Sequence, residues 1–105
     1  MKRAFQLADE GHLDKAATIC ETLLHHRDHQ IEAHYLLGVI REATGNQPEA
    51  EQLFRRTVYL DPRHFQALTH LSVIASRNGD EQNAQRFRDR AAQAQSVIQQ
   101  ERQER

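Results

Sequence analysis

The chain has 105 residues, a formal net charge of −1 with its histidines neutral, 38% hydrophobic residues and 28% charged residues. This balance excludes a mostly disordered chain, and the near-neutral charge argues against a general binder of nucleic acid or of anionic membranes. The longest apolar runs are only a few residues long, whereas a membrane span needs ~20.

Six amphipathic helices are predicted, because apolar residues recur three and four positions apart along the chain. Their expected ranges are 2–10, 13–27, 31–44, 47–60, 64–78 and 81 to about 100, and no strand is expected. The last helix carries an apolar stripe that can pack on the helix before it, formed by Ala84, Phe87, Ala91, Ala94 and Ile98. The tail from Gln95 to Arg105 is otherwise almost wholly polar, and its last residues are expected to fray.

A period of 34 residues runs through the chain. It relates Gly11, Gly45 and Gly79, and in the same way Ala16, Ala50 and Ala84. Each glycine separates two helices, because glycine accepts the left-handed backbone that ends a helix. Pro48 suits the first turn of a helix, and Pro62 follows the end of one. We therefore expect one domain, residues 1–105, made of three helix pairs at 1–30, 31–64 and 65–105.

The second pair resembles the tetratricopeptide repeat. The family's Leu-Gly pair, its helix-B Ala, its aromatic residue and its terminal Pro coincide here with Leu37, Gly38, Ala50, Phe54 and Pro62. The resemblance implies an all-α superhelix of antiparallel helix hairpins.

The chain departs from the family pattern at several positions. His34 stands where the family usually has Trp, and Arg41 where it has Tyr, so thinner aromatic packing is expected in the second pair. In the third pair Arg88 takes the aromatic position and no Pro follows, as in a terminal capping repeat. The first pair lacks its first four positions, which predicts that the domain is a fragment of a longer protein.

A narrower resemblance covers most of residues 1–94. It rests on residues 33–38, on residues 53–64, which read LFRRTVYLDPRH, and on Ala67, Leu68, His70 and Leu71. These runs resemble the C-terminal repeat domain of CheR-type chemoreceptor methyltransferases, including the WspC kind. Such enzymes methylate receptor glutamates with S-adenosylmethionine. The resemblance implies that the repeats help in docking, with the chemoreceptor or the catalytic domain as the partner.

The resemblance also implies a partner-binding groove, because the first helices of the pairs line the concave side of such arrays. Its predicted residues are Phe5, Asp9, Glu32, Tyr35, Val39, Glu42, Gln66, Thr69, Val73 and Arg77. A groove is favoured over a plain solvent-exposed face, because Tyr35, Val39 and Val73 are apolar at positions that the core within a repeat does not need. Such a surface suits a helix or an extended segment. Flat edges and the convex side remain alternatives.

A carboxylate clamp is not expected in this groove. Chaperone-type repeat domains grip a C-terminal carboxylate there with Lys, Asn and Arg, since a buried carboxylate needs paired donors. The corresponding positions here hold Tyr35, Val39, Thr69 and Val73.

His25, His26 and His29 cluster in the sequence, and His25 and His29 are one helical turn apart. A metal site is disfavoured, because Asp28 is the only nearby carboxylate and no Cys lies beside the histidines. A solvated helix end is expected instead, where cationic side chains meet the negative end of the helix dipole.

Four further side chains are expected to pack. His34, His64 and His70 are interpreted as packing or groove-edge residues, and a histidine can make an interface sensitive to pH. Cys20 occupies an apolar position, which predicts a buried, unreactive thiol. One cysteine cannot form an internal disulfide and no signal peptide is recognised, so a cytoplasmic protein is expected.

A basic surface is predicted on the last helix. It comprises Arg86, Arg88, Arg90, Arg102 and Arg105, offset by Asp89, Glu101 and Glu104. A solvated face is expected, and a weak contact with an acidic partner domain is the alternative.

No catalytic site, cofactor or metal is expected. The four glycines sit at helix ends or packing contacts and not in a Gly-rich loop after a strand, so no cradle for a nucleotide or S-adenosylmethionine is predicted. The sequence therefore favours a monomeric protein–protein interaction module, the docking or regulatory domain of a bacterial chemosensory methyltransferase. One alternative is a free-standing adaptor in another assembly, such as secretion or envelope biogenesis. The other is a small hydrolase or metal protein that uses the histidine cluster.

Overall fold

The structure is a computed structural model that describes residues 1–26 and 30–104. The helices are α1 (Lys2–Asp9), α2 (Leu13–His25), α3 (Gln30–Ala43), α4 (Gln47–Leu60), α5 (Phe65–Arg77) and α6 (Glu81–Gln103). The described residues contain no strand. The prediction of an all-helical fold is thus confirmed. Residue 27, the predicted end of the second helix, lies outside the described residues, and α6 continues past its predicted end near residue 100.

The turns within the three helix pairs are built alike. Gly11, Gly45 and Gly79 have φ values of +87°, +87° and +77°, as their positions after α1, α3 and α5 predict. The backbone N–H of Asn46 then donates to the carbonyl of Arg41 at 2.8 Å, which satisfies an otherwise free group at the end of α3.

The starts of the later helices are capped by side chains. The side chain of Asn46 accepts a hydrogen bond from the Glu49 N–H at the start of α4, where Pro48 occupies the first turn as predicted. His64 and Asp80 act in the same way at α5 and α6. These caps satisfy N–H groups that the first turn of a helix leaves without partners.

Helices that follow one another in the chain pack together, and the core runs along the stack. One cluster of buried residues joins α1, α2 and α3, with Cys20, Leu36 and Ile40 among its members. A second joins α4, α5 and α6 around Phe54 and Leu68. Burial of such side chains is the main stabilising contribution, about 1.5–3 kcal/mol for each large one.

Arg41 links three helices on the outside of this core. Its Nη2 lies 2.8 Å from Oε1 of Glu21 on α2, and its Nε lies 3.1 Å from Oε1 of Glu49 on α4. A charged bridge thus occupies a position where the family pattern has an aromatic ring.

α6 has 23 residues and α5 has 13. Ala84, Ala91 and Ala94 of the predicted stripe are buried, while Phe87 and Ile98 are partly buried. The stripe therefore packs on α5 as predicted. No helix in the described ranges is both long enough and apolar enough to cross a membrane.

Candidate partner-binding groove

Four of the predicted groove residues meet in one cleft between α1 and α3. The cleft has a volume of about 390 Å³ and contains Phe5 and Asp9 from α1 and Tyr35 and Val39 from α3. Its other lining residues are Ala8, Leu13, Leu36, Ile40 and Ala43. Asp9 is exposed, whereas the other three predicted residues are only partly buried. The result is an apolar cleft with a single carboxylate in its lining.

Leu13 is a cleft residue that the sequence prediction missed, because only the first helix of each pair was assigned to the groove. It is the first residue of α2 and follows the turn at Gly11. Ala43 was missed as well, although it lies one helical turn after Val39 and therefore on the same face of α3.

Tyr35 stands at the junction between this cleft and the second core cluster. Its ring centre lies 4.7 Å from that of His64, 5.8 Å from that of His70 and 6.0 Å from that of Phe54. Burial, and secondarily the charge of Glu42, raises the pKa of the Tyr35 hydroxyl. At neutral pH the phenol therefore keeps its proton and can donate a hydrogen bond.

A polar chain joins α3 to α5 beside Tyr35. Nδ1 of His70 lies 3.3 Å from Oε1 of Glu42, and Nε2 of His70 lies 3.5 Å from the Tyr35 hydroxyl. A neutral His70 can satisfy both contacts, with Nδ1–H donating to Glu42 and Nε2 accepting from Tyr35. The other carboxylate oxygen of Glu42, Oε2, is buried and has no hydrogen-bond partner within the described residues.

Three other predicted groove residues lie apart from the cleft. Thr69, Val73 and Arg77 on α5 line a hollow of about 490 Å³ together with Ser72, Ser76 and Arg88. Val73 is 41% exposed. This hollow offers one aliphatic side chain between polar ones and lacks an aromatic residue.

Three predicted residues remain. Glu42 belongs to the polar chain beside Tyr35, and Glu32 and Gln66 contribute least to a shared site. Glu32 lines a hollow of about 410 Å³ with Gln30, Ile31 and Leu60. Gln66 is exposed on α5. The ten predicted residues are therefore spread over several surfaces, and four of them meet in the cleft between α1 and α3.

The predicted histidine cluster can be followed only in part. His25 and His26 are exposed at the end of α2, whereas Asp28 and His29 lie outside the described residues. Within residues 1–26 and 30–104, no three His, Cys, Asp or Glu side chains are placed to hold a metal ion.

Cys20 is fully buried in the first core cluster. The pKa of its thiol is raised to about 11, mainly because the thiol is buried. The thiolate required for nucleophilic attack is therefore scarce at neutral pH, which agrees with the predicted unreactive thiol.

The arginines of α6 do not share one face. Arg88 lines the hollow next to Val73, whereas Arg90 lines two other hollows, one shared with α4 and one with the connection between α4 and α5. Arg86 is exposed, and Arg105 lies outside the described residues.

Sequence comparison places these features among known proteins. A family model described as tetratricopeptide repeat matches residues 7–71. The chain is 36% identical over 87 residues to the probable biofilm formation methyltransferase WspC of Pseudomonas aeruginosa and 32% identical over 89 residues to that of Pseudomonas putida. These alignments cover 83% and 85% of this chain but 21% of each relative. The chain thus spans about a fifth of the length of these relatives.

The fold also resembles a solved structure. The crystal structure of MamA superimposes with a TM-score of 0.82 over 92% of this chain and 57% of that one. The sequence identity is 13%, so this likeness concerns the fold alone.

Proposed function

The chain belongs to the tetratricopeptide repeat family, and on that premise we propose that its cleft between α1 and α3 docks a protein partner in chemosensory signalling. Repeat domains of this family mediate protein–protein interaction and are typically non-catalytic. The finer proposal is a docking or regulatory domain that acts with a receptor-glutamate methyltransferase, as the likeness to WspC supports. The methyltransferase chemistry would then reside in residues outside this sequence.

The observation that carries the proposal is the composition of the cleft. Phe5, Tyr35 and Val39 keep part of their apolar surface open toward it. Aromatic side chains in a pocket are the usual anchors of a protein interface. An apolar cleft between two helices accepts the apolar face of a helix or alternate side chains of an extended segment.

The charge in the cleft favours one kind of partner segment. Asp9 is exposed and is the single charged residue among the described residues of the lining. A segment with apolar anchors and a Lys or Arg side chain complements this carboxylate. A C-terminal carboxylate would be repelled.

Calorimetry tests the proposal. The purified chain is titrated separately with the cytoplasmic fragment of the chemoreceptor and with the catalytic domain of the methyltransferase from the same operon. Tyr35→Ala removes the central anchor and is expected to weaken binding at least about tenfold, which corresponds to ~1.4 kcal/mol.

A second pair of variants covers the case in which Tyr35→Ala unfolds the chain. Asp9 is exposed, so Asp9→Lys leaves the core intact and is expected to weaken binding of a cationic segment. Asp89→Lys makes the same charge change at an exposed position of α6 and is the matched control. If neither partner gives a heat of binding, the chemosensory assignment is contradicted. If Tyr35→Ala and Asp9→Lys both leave the affinity unchanged, the cleft is not the docking site.

A further inference from the structure

The outer side of α4 and α6 carries a second surface that the groove does not include. Two adjoining hollows of about 310 and 280 Å³ share Pro62 and Arg90 as lining residues. The first also contains Tyr59 and Phe87, and the second contains Val97. We call this surface the outer strip and define it by Tyr59, Pro62, Phe87, Arg90 and Val97, which line the hollows, and by Arg56, which lines neither hollow but contacts the Tyr59 ring.

The outer strip exposes large apolar side chains that the fold does not bury. Tyr59 is 75% exposed and Val97 is 38% exposed. Together with Val73 they are the exposed large hydrophobic residues of the described chain. Two of these three side chains therefore stand on one outer strip, where a partner could cover them.

The strip is also locally cationic. The two hollows are lined by Arg55, Arg63 and Arg90, and no described carboxylate lines either of them. The lining itself is therefore positive, although carboxylates just outside the hollows offset part of this charge.

The arginines differ in how far they are neutralised. Arg63 pairs with Glu101 at 2.9 Å, and Arg55 lies 3.8 Å from Glu51. In the described part of the chain, Arg56 and Arg90 form no ion pair. The guanidinium of Arg56 lies 5.1 Å from the centre of the Tyr59 ring, which holds a cation and an exposed aromatic side by side.

We infer that the outer strip binds an acidic segment of a partner protein that carries an aromatic or aliphatic anchor. Carboxylates of the segment pair with Arg56 and Arg90, because guanidinium groups bind carboxylates in a planar, two-bonded geometry. The anchor enters the hollow beside Pro62 and covers Tyr59. Tyrosine and arginine next to a pocket are the residue types that dominate interface energies.

The dimensions of the strip limit the size of this segment. Phe87 and Val97 are separated by about ten helical residues, a length of ~15 Å. About five residues of extended chain span that distance. A short acidic peptide therefore fills the strip, and a folded domain is not required.

Fluorescence anisotropy with a labelled peptide tests the inference. The probe is a peptide of about twelve Asp and Glu residues with a Phe and a Leu at its centre, long enough to cover the strip. The expected result is saturable binding whose affinity falls as the salt concentration rises, because salt screens exposed charge pairs. Arg56→Gln with Arg90→Gln is expected to weaken binding at least about tenfold.

Matched variants and peptides separate this result from a general charge effect. Arg3→Gln with Arg88→Gln removes two exposed charges outside the strip and is expected to leave the affinity unchanged. Tyr59→Ser tests the apolar half of the surface without threatening the fold, because the side chain is 75% exposed. A peptide in which Ala replaces Phe and Leu should bind less tightly.

Three results would overturn the inference. The first is no binding of the acidic peptide, and the second is equal weakening by both arginine pairs. The third is tighter binding of a single-stranded oligonucleotide that depends on the same arginines, which would identify a nucleic acid as the occupant. None of these results bears on the cleft between α1 and α3, which has a different partner and different variants.

Discussion

The backbone of Gly38 on α3 lies against the ring of Phe54 on α4. A Cβ atom added at Gly38 would stand 2.8 Å from Cε1 and 3.0 Å from Cδ1 of that ring. Phe54 is fully buried, and its ring is stacked on His70 with the two centres 4.6 Å apart. A methyl group at position 38 would therefore require this buried ring to shift.

Gly38→Ala is expected to destabilise the fold by about 1–2 kcal/mol. Overpacking a tight core costs about 1–3 kcal/mol, and the better helix propensity of Ala returns up to about 1 kcal/mol. Urea unfolding followed by circular dichroism measures the difference. In a Phe54→Leu background the same substitution should cost less, and an equal cost in both backgrounds would contradict the close contact.

The sequence predicted the turns because the 34-residue period marks Gly11, Gly45 and Gly79, which follow α1, α3 and α5. The resemblance to the tetratricopeptide repeat, and not the period, implied that Gly38 is a small residue where two helices cross. These features depend on local backbone conformation and on residue size, which can be read without knowing the distances between helices.

The grouping of the groove residues could not be predicted in the same way. The period places Tyr35 and Thr69, or Val39 and Val73, in equivalent positions, yet only the first of each pair lines the cleft with α1. The cleft needs Phe5 from the preceding pair and Leu13 from α2 as walls. The sequence pattern indicates which face a residue occupies but not which neighbouring helix closes over it.

The outer strip was missed for a related reason. Tyr59 belongs to residues 53–64, which were interpreted only through the family resemblance. That resemblance does not indicate whether the Tyr59 side chain is exposed. Arg88 and Arg90 were assigned to one basic surface, whereas they line hollows on different sides of α6. Two residues that are two positions apart point about 200° apart around a helix, which a simple count of arginines ignores.

Arg41 is expected to stabilise the stack through its bridge between Glu21 and Glu49. Its side chain is 25% exposed, and the hydrogen bond that it donates to Glu49 is the main cause that raises the pKa of its guanidinium. Arg41→Met should lower the free energy of unfolding by about 1 kcal/mol, because two ion pairs are lost while Glu21 and Glu49, 53% and 42% exposed, can be rehydrated. The exposed pair of Arg88 with Glu81, 3.7 Å apart, is the control. Arg88→Met should cost less than about 0.5 kcal/mol, and equal costs at both sites would contradict a structural bridge.

Cys20 is expected to resist thiol reagents until the chain unfolds. The thiol is fully buried, and its pKa of about 11 leaves little thiolate at neutral pH. The rate of reaction with Ellman's reagent should therefore rise with urea in parallel with unfolding. Fast reaction of the folded chain without denaturant would contradict this burial.

The same thiol predicts a loss of stability at alkaline pH. The folded state holds the proton more tightly than the unfolded state, so the stabilisation is complete below the ordinary pKa of 9.0 and is lost as pH rises toward 11. Tyr35, whose pKa is also raised, contributes in the same direction. The comparison with Cys20→Ala isolates the thiol, since the variant should lose less stability over this range. Parallel curves for the two proteins would contradict the prediction.

We expect the protonation of His64 to lower the stability of the fold at acid pH. Its Nδ1 accepts a hydrogen bond from the Ala67 N–H at 3.2 Å and caps α5, which requires the neutral ring. Burial is the main cause that lowers the pKa of His64, and His70 lowers it further, while Asp61 and Glu32 act in the opposite direction. A lowered folded pKa means that the stabilisation is present above the ordinary value of 6.5 and is lost as pH falls through the folded value.

His64→Asn isolates this effect, because Asn is a strong N-cap that does not titrate in this range. Both proteins are unfolded in urea at several pH values from neutral to about 5, on the acid side of an ordinary histidine pKa. The wild-type chain is expected to lose about 1 kcal/mol more than the variant, the usual contribution of an N-cap. The other histidines are present in both proteins, so their contributions cancel in the difference. A difference that does not change with pH would show that the cap survives protonation, and would assign the acid sensitivity to another histidine.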